Sequence, residues 1–170
     1  MTRRIEIVEA ELDRPDHRAD VLALTAAYGA DPMGTGAPLP AAVLGRLIEG
    51  LQAHPAKLLL LAYDGERAGA PAIGLATCFI GFSTFYARPL INIHDLTVLD
   101  GHRGKGVGRE LLRAVENKAR SLDCCKVTLE VHQNNERAMR LYESVGFGHV
   151  GSEAPLGGAL FYAKVLSARG

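Results

Sequence analysis

Cysteine, surplus charge and long apolar runs are scarce in this sequence, and each scarcity argues against a class of protein. Three of the 170 residues are cysteines, two of them adjacent at Cys124 and Cys125, so we expect no disulfide framework and a reducing, cytoplasmic setting. The 19 basic and 19 acidic residues cancel, which leaves no overall field to attract nucleic acid or a membrane surface. Apolar runs such as Leu58–Tyr63 are too short to span a bilayer, and the early acidic residues do not suit a signal peptide.

Familiar catalytic signatures are missing as well. No serine stands in a G-x-S-x-G sequence, which argues against a hydrolase of that type. The histidines form no close H-x-x-x-H pair and the cysteines no C-x-x-C pair, so we expect no metal site. That expectation covers the side chains best able to ligate a metal, namely His94, His102, His132 and Asp95.

The composition is typical of one globular domain. Hydrophobic residues make up 48% of the chain and charged residues 22%, close to the usual mix. A chain of 170 residues can bury a sizeable core without disulfides or metals. Because no internal repeat, low-complexity tract or linker divides it, residues 1–170 are predicted to form a single domain.

Apolar periodicity predicts strands and helices in alternation along the chain. Strands are predicted at Arg4–Glu9, Leu58–Tyr63, Ala72–Phe82, Leu90–Val98, Lys126–Val131 and Leu160–Val165. Apolar and polar residues alternate in Lys126–Val131, whereas Leu58–Tyr63 is a short continuous apolar run. Helices, which repeat about every 3.6 residues, are predicted at Asp16–Tyr28, Ala41–Ala53, Val107–Leu122 and Asn135–Val145. This order indicates an α/β domain with a mixed sheet flanked by helices.

The last two predicted helices each carry one clear apolar face. The members of these faces are Leu112, Val115, Ala119 and Leu122 in the first, and Ala138, Leu141, Tyr142 and Val145 in the second. Gly146 follows directly, where a left-handed residue commonly ends a helix. Both helices are therefore expected to pack one side against the sheet.

The most informative segment joins the predicted strand that ends at Val98 to the helix that begins at Val107. Its sequence, R-G-K-G-V-G-R over Arg103–Arg109, has three alternate glycines where the backbone could approach a ligand closely. The first amides of a helix have no internal partners and, with the helix dipole, suit an anion such as phosphate. Rossmann and Walker spacings are both absent. The alternative is a tight turn with solvated basic residues.

This segment and its context resemble the GNAT superfamily of N-acetyltransferases. Arg103, Gly106 and Gly108 match its R/Q-x-x-G-x-G/A signature, and Asp95–Val98 looks like its fourth strand. A second block resembles its fifth strand and following helix: Leu129-x-Val131, then Asn135-x-x-Ala138-x-x-x-Tyr142-x-x-x-Gly146-Phe147. The two blocks cover about residues 90–147. The resemblance implies a largely antiparallel acyl-CoA N-acyltransferase fold, and an acetyltransferase that uses acetyl-CoA without a metal.

The resemblance also implies which residues hold acetyl-CoA. Amides of the glycine turn would bind the pyrophosphate, and the fourth strand would pair with the pantetheine arm in a slot between splayed strands. Asn135 would bind the pantetheine, with a simple helix N-cap as the alternative. The full set is Leu96, Thr97, Val98, Arg103, Gly104, Lys105, Gly106, Val107, Gly108, Arg109, Asn135 and Ala138.

Acetyl transfer has three chemical requirements, and further residues of the chain could meet them. The departing thiolate needs a proton, and Tyr142 matches the family's general-acid tyrosine, although a packed interior role is the alternative. The thioester oxygen needs a donor, which the resemblance places at the Val98 amide. The attacking ammonium must lose a proton. His94 is preferred over Asp95 as its acceptor because imidazole titrates near neutrality and adjacent strand residues point to opposite faces; a packed histidine or a water relay is the alternative.

The sequence gives weaker evidence for the residues that would bind the acceptor amine. The segment Gly81–Leu90 loosely resembles a hairpin that contacts substrate in polyamine acetyltransferases, so Phe85 and Tyr86 join Asp95 as candidate substrate contacts, with hairpin packing as the alternative. The loop with Asp31 and Met33 is interpreted as a plain connector, although that region walls the acceptor site in the family. A small amine, polyamine or amino-acid-like acceptor is preferred, then a protein N-terminus or lysine, then an aminoglycoside. A non-catalytic acyl-CoA sensor is the rival function, and the apolar final strand permits a homodimer.

Overall fold

A computed structural model describes residues 4–65, 69–149 and 159–165. Within these ranges seven strands form one sheet: β1 Ile5–Glu9, β2 Lys57–Asp64, β3 Gly74–Ser83, β4 Arg88–Val98, β5 Lys126–His132, β6 Gly148–His149 and β7 Ala159–Val165. The α-helices are α1 Pro15–Ala30, α2 Ala41–Ala53, α3 Val107–Ser121 and α4 Glu136–Ser144. None of these helices is long and apolar enough to span a membrane.

The sheet runs in the order β1-β2-β3-β4-β5-β7-β6. Neighbouring strands are antiparallel except for β4 and β5, which are parallel. A parallel pair needs a crossover connection, and α3 provides it between the end of β4 and the start of β5. The predicted mixed, largely antiparallel sheet with flanking helices is therefore confirmed.

Strand β2 anchors a hydrophobic core on each face of the sheet. Leu58 and Leu60 pack into a cluster with α3 and α4, whereas Leu59 and Leu61 pack into a second cluster with α1 and α2. Successive side chains of a strand point to opposite faces. A continuous run of leucines is thus what a strand covered by helices on both sides requires.

Helix α3 presents a buried stripe to the first core. Its members, each at most 1% exposed, are Val107, Leu111, Val115 and Ala119. The predicted stripe is right for Leu112, Val115 and Ala119, but it is wrong for Leu122, which is 37% exposed. The helix ends at Ser121, and Asp123 has a positive φ of 57°, so the chain turns away before Leu122 can continue the stripe.

The predicted end of α4 is confirmed. Gly146 has a φ of 91°, and its N–H donates to the Glu143 carbonyl at 3.0 Å. The Phe147 N–H donates to the Tyr142 carbonyl, also at 3.0 Å, so the last carbonyls of the helix are satisfied. The predicted apolar face is confirmed too, with Tyr142 buried and its three companions packed against the same core.

Leu61 lies in the second core and is 0% exposed. We expect Leu61→Ala to lower the free energy of unfolding by about 2–5 kcal/mol, because the change removes buried methyl groups and leaves a cavity. Urea unfolding followed by circular dichroism measures the loss. Val43→Ala, at a position 40% exposed on α2, is the control and should shift stability by less than about 0.5 kcal/mol. Similar losses in the two variants would contradict this placement of the core.

Candidate active site

A gap opens in the sheet where β4 and β5 separate. Their parallel pairing covers three residues of β4, Ile91 to Ile93, although β4 continues to Val98. Strand β3 stays paired with β4 through Val98, so only the edge toward β5 faces the gap. A cavity of about 480 Å³ lies there. An extended ligand arm could add to that edge as a further strand would.

The cavity gathers most of the predicted site residues. All predicted cofactor residues except Lys105 line it, as do both predicted catalytic residues, His94 and Tyr142. The three predicted substrate contacts, Phe85, Tyr86 and Asp95, are not among its lining residues. Across the described ranges of the chain, no group of three or more His, Cys, Asp or Glu side chains is arranged to hold a metal ion.

The three glycines of the turn are required for different structural reasons. Gly104 and Gly106 have φ angles of 73° and 87°, a backbone region that glycine adopts without steric cost. Gly108 lies against α4, where an added Cβ would be 2.9 Å from Leu141 Cδ2. The turn therefore needs glycine for its own shape and for helix packing.

The turn presents the first amides of α3 to the cavity. The first bond into the helix runs from the Glu110 N–H to the Gly106 carbonyl at 3.1 Å. The N–H groups of Val107, Gly108 and Arg109 come before it and have no carbonyl within the helix to donate to. All three residues line the cavity. Together with the positive end of the helix dipole, this arrangement fits a phosphate or diphosphate group.

The side chain of Arg103 is engaged within the protein. Its Nε donates to the Val98 carbonyl at 2.8 Å, and its Nη2 donates to the Asp31 carboxylate at 2.5 Å. Its Nη1 also forms an ion pair with Asp100. Two carboxylates thus offset the Arg103 guanidinium, whereas Arg109, whose Nη2 donates to Ser144 Oγ at 3.0 Å, lines the cavity beside the backbone amides of the turn.

A β-bulge interrupts β4 at the predicted base. The register of β3 with β4 passes from Ile93 to Asp95 and skips His94. The β4 residues that pack into the first core are odd-numbered before the bulge and even-numbered after it: Ile91, Ile93, Leu96 and Val98. The prediction that His94 and Asp95 point to opposite faces is therefore wrong, because the extra residue of a bulge breaks the two-residue alternation. Both lie on the side away from that core.

His94 and Asp95 meet solvent differently. His94 is exposed, and its ring lies edge-on to Phe79 with 5.6 Å between centroids. Asp95 is partly buried; burial raises the pKa of its carboxyl, and nearby His94 acts in the opposite direction. A carboxylate with a raised pKa is a stronger proton acceptor near neutral pH. The structure thus leaves both residues as candidate bases.

Tyr142 extends from α4 to the cavity wall. The residue is 7% exposed, and its ring lies edge-on to Tyr162 with 6.4 Å between centroids. Burial raises the pKa of the phenol, and Tyr28 and Asp95 raise it further through electrostatic interaction. The phenol is thus protonated at neutral pH and can donate a hydrogen bond or a proton.

The loop after α1 forms a wall of the same cavity. Asp31 and Met33 line it, as does Tyr28 in the last turn of α1, so the interpretation of the loop as a plain connector is wrong. The glycine and proline content of the loop marks an irregular segment in the sequence. That content does not indicate where the loop lies relative to strands about 60 residues further along the chain. For the same reason, the sequence gives no sign that Tyr28 lines the cavity.

Asn135 both caps helix α4 and lines the cavity. Its side chain accepts a hydrogen bond from the Ala138 N–H at 3.2 Å, which caps α4, and the residue also lines the cavity.

By contrast, Phe85 and Tyr86 lie at the tip of the β3–β4 hairpin, where they are 99% and 54% exposed. The Lys126 ammonium lies 5.7 Å from the Tyr86 ring centroid. The hairpin aromatics are therefore neither packed in a core nor part of the cavity.

A sheet that splays beside a helix N-terminus defines a fold suited to a phosphate-bearing ligand with an extended arm. Residues 22–147 match the sequence profile of the Acetyltransferase (GNAT) family. This chain belongs to that family, and the resemblance seen in its sequence is confirmed.

Individual relatives differ in what they acetylate. The streptothricin acetyltransferase of Streptomyces lavendulae is 32% identical over 108 residues, which cover 64% of this chain and 52% of that protein. The N-alpha-acetyltransferase RimI of Mycobacterium tuberculosis is 37% identical over 91 residues, which cover 52% of this chain and 53% of that protein. The chain thus spans about half the length of these curated relatives. The structure of the NatC complex bound to a Gag peptide and CoA shares the fold, with a TM-score of 0.72 at 20% identity over 96% of this chain and 99% of that chain.

The raised pKa of Asp95 predicts a stability that depends on pH. Burial favours the protonated carboxyl in the folded state, so that contribution is present at low pH and is lost as the pH rises through the folded pKa. Asp95→Asn should therefore raise the melting temperature at pH 7. The gain should shrink as the pH falls toward the ordinary value of 3.8. Calorimetry across this range tests it, with Asp13→Asn at an exposed carboxylate as the control; a gain independent of pH would contradict the assignment.

Proposed function

We propose that this chain is an N-acetyltransferase that moves the acetyl group of acetyl-CoA to a primary amine by direct attack, without a covalent enzyme intermediate. The observation that carries the proposal is one continuous cavity. It runs from the amides of Val107–Arg109, along the β4 edge that β5 leaves unpaired, to the side chain of Tyr142. Membership in the GNAT family supports the same reaction.

The donor end of the cavity fits coenzyme A. Amides of the turn would hold the pyrophosphate, and the backbone of Leu96–Val98 would pair with the pantetheine arm. Asn135 and Ala138, at the start of α4, also line the cavity. When bound, acetyl-CoA supplies the activated thioester; the side chains around it position the acceptor amine and move protons.

Three groups of this chain would serve the chemistry. The Val98 N–H would donate a hydrogen bond to the thioester oxygen. Tyr142, held protonated by burial, would donate a proton to the leaving sulfur. His94 is preferred as the acceptor of the proton from the ammonium because it lines the cavity, whereas Asp95 does not; Asp95 or a water chain is the second route.

We prefer a small amine as the acceptor, such as a polyamine or an amino-acid-like metabolite. Glu130 lines the cavity, and Asp95 is near enough to Tyr142 to raise the pKa of its phenol, so these two carboxylates would attract a cationic amine to this end. A protein N-terminus or lysine is the second candidate, since both a streptothricin and an N-alpha-acetyltransferase are among the relatives.

Release of free thiol from acetyl-CoA in the presence of an amine panel tests the activity. We expect turnover with at least one amine and a fall in kcat of about a hundredfold or more for Tyr142→Phe, because the acid is lost. Coenzyme A affinity should change by less than about twofold, since the phenol contacts the reacting end. Tyr86→Phe, at an exposed tyrosine outside the cavity, is the control. Binding of acetyl-CoA without turnover on any amine would instead indicate a sensor.

The shape of the glycine turn should matter for binding. Gly106 has a φ of 87°, so Gly106→Ala strains the turn by about 1–2 kcal/mol and should weaken coenzyme A binding about 5- to 30-fold. Titration calorimetry measures the affinity. Gly101→Ala is the matched control, since an added Cβ there meets nothing within 4 Å. Equal losses in the two variants would argue against an anion site at this turn.

A further inference from the structure

The loop after α1 is built around Asp31. Its N–H closes the last turn of α1, and its carbonyl accepts hydrogen bonds from the N–H groups of Gly34 and Gly36 at 2.8 and 3.1 Å. Its carboxylate Oδ1 accepts from the Met33 N–H at 2.8 Å. Backbone and side chain of one residue thus organise the whole turn from position 31 to position 36.

This loop has little freedom to take another shape. A Cβ at Gly34 would lie 2.1 Å from the Tyr28 carbonyl oxygen, so the backbone passes at close range. Thr35 binds the Gly29 carbonyl twice, through its N–H at 3.1 Å and its Oγ1 at 2.7 Å. Residues 31–36 are therefore one hydrogen-bonded unit, so a change in the position of Asp31 would move the whole loop.

The second oxygen of the Asp31 carboxylate leaves the loop and reaches the glycine turn. Oδ2 accepts from Arg103 Nη2 at 2.5 Å, with the two side chains 14% and 26% exposed. An ion pair this shielded is screened less than one on the open surface. Hydrogen bonding from the Met33 N–H and then from Arg103 lowers the pKa of Asp31, which keeps the carboxylate ionised.

Arg103 carries the connection to the donor side. Its Nε is fixed on the Val98 carbonyl at 2.8 Å, and the residue opens the turn whose amides face the cavity. A single guanidinium therefore joins the loop after α1, the end of β4 and the anion-binding turn. Tyr28, which acts electrostatically on Tyr142, and Met33 line the part of the cavity that we assign to the acceptor, so this contact would link that part to the donor side.

We infer that Asp31 is a positioning residue that couples the acceptor-side wall, residues 28–33, to coenzyme A bound at the glycine turn. A ligand that immobilises the turn immobilises Arg103, and Arg103 holds Asp31 and the loop built on it. The inference rests on the proposed function, because it needs coenzyme A at this turn. Asp31 itself would act through Arg103 and the loop, without touching the donor.

Asp100 offers a matched control. It also pairs with Arg103, but it belongs to the 3₁₀ turn at Asp100–His102, its side chain is 87% exposed, and it is not among the residues lining the cavity. Asp31→Asn and Asp100→Asn each remove one carboxylate from the same guanidinium. Only the first cuts the link to the acceptor-side loop.

Hydrogen exchange with coenzyme A as the probe tests the coupling without knowledge of the acceptor. In the unaltered protein, coenzyme A should slow exchange both at residues 103–109 and at residues 31–36. Asp31→Asn should keep the first protection and lose the second, whereas Asp100→Asn should keep both. Arg103→Gln breaks the same ion pair from the other side, so it should also lose protection at residues 31–36 if Asp31→Asn does not fold.

The outcomes separate the inference from the proposed function. Protection at 103–109 without protection at 31–36 in the unaltered protein would overturn the coupling and leave coenzyme A binding intact. Protection at neither segment would remove the proposed function and the coupling with it. With an amine that proves to be an acceptor, Asp31→Asn should raise the KM for the amine about tenfold, a usual size for coupling between sites. The kcat and the affinity for coenzyme A should stay within about twofold; a fall in kcat alone would overturn the positioning role.

Discussion

The candidate site depends on one constraint: β5 stops pairing with β4 after Ile93, while β3 continues to pair with it through Val98. The last residues of β4 are thus paired with β3 on one side and have an unpaired edge on the other. The crossover helix α3 begins at Val107, just beyond this edge, so its N-terminal amides open into the same gap. Were the parallel pairing complete, the edge would be covered by β5 and the cavity would not form.

The bulge at His94 adds a second consequence to the same stretch of strand. Without it, the side chains of β4 would keep one alternation, and either Ile93 or Leu96 would leave the core that both occupy. With it, His94 and Asp95 fall on one side, close enough for each to influence the other. Asp95 is also near enough to Tyr142 to raise the pKa of its phenol, although Tyr142 belongs to the core on the other face.

Local signals in the sequence predicted what local interactions determine. The start of α3 at Val107 follows from glycines with positive φ and from the apolar stripe behind them, and Gly146 ends α4 through its own conformation. The bulge at His94 depends on the register of another strand, and the direction of the Arg103 side chain depends on a carboxylate 72 positions away. β6, with two residues, is too short for any periodicity. The bulge and the direction of Arg103 depend on residues that are far away in the sequence, so no short segment of sequence could predict them.

The ion pair between Asp31 and Arg103 also bears on how the proposed phosphate site and the proposed amine site would share one cavity. Full positive charges at the turn would attract phosphate, but they would also repel a protonated amine approaching a few ångströms further along. Here Asp31 and Asp100 offset the Arg103 guanidinium, so the proposed anion site would rely on the backbone N–H groups, the helix dipole and Arg109, which lines the cavity. The field of the helix dipole falls off within about one helical turn. With two carboxylates beside Arg103, the turn would therefore repel the proposed amine less while the proposed phosphate is bound in the same cavity.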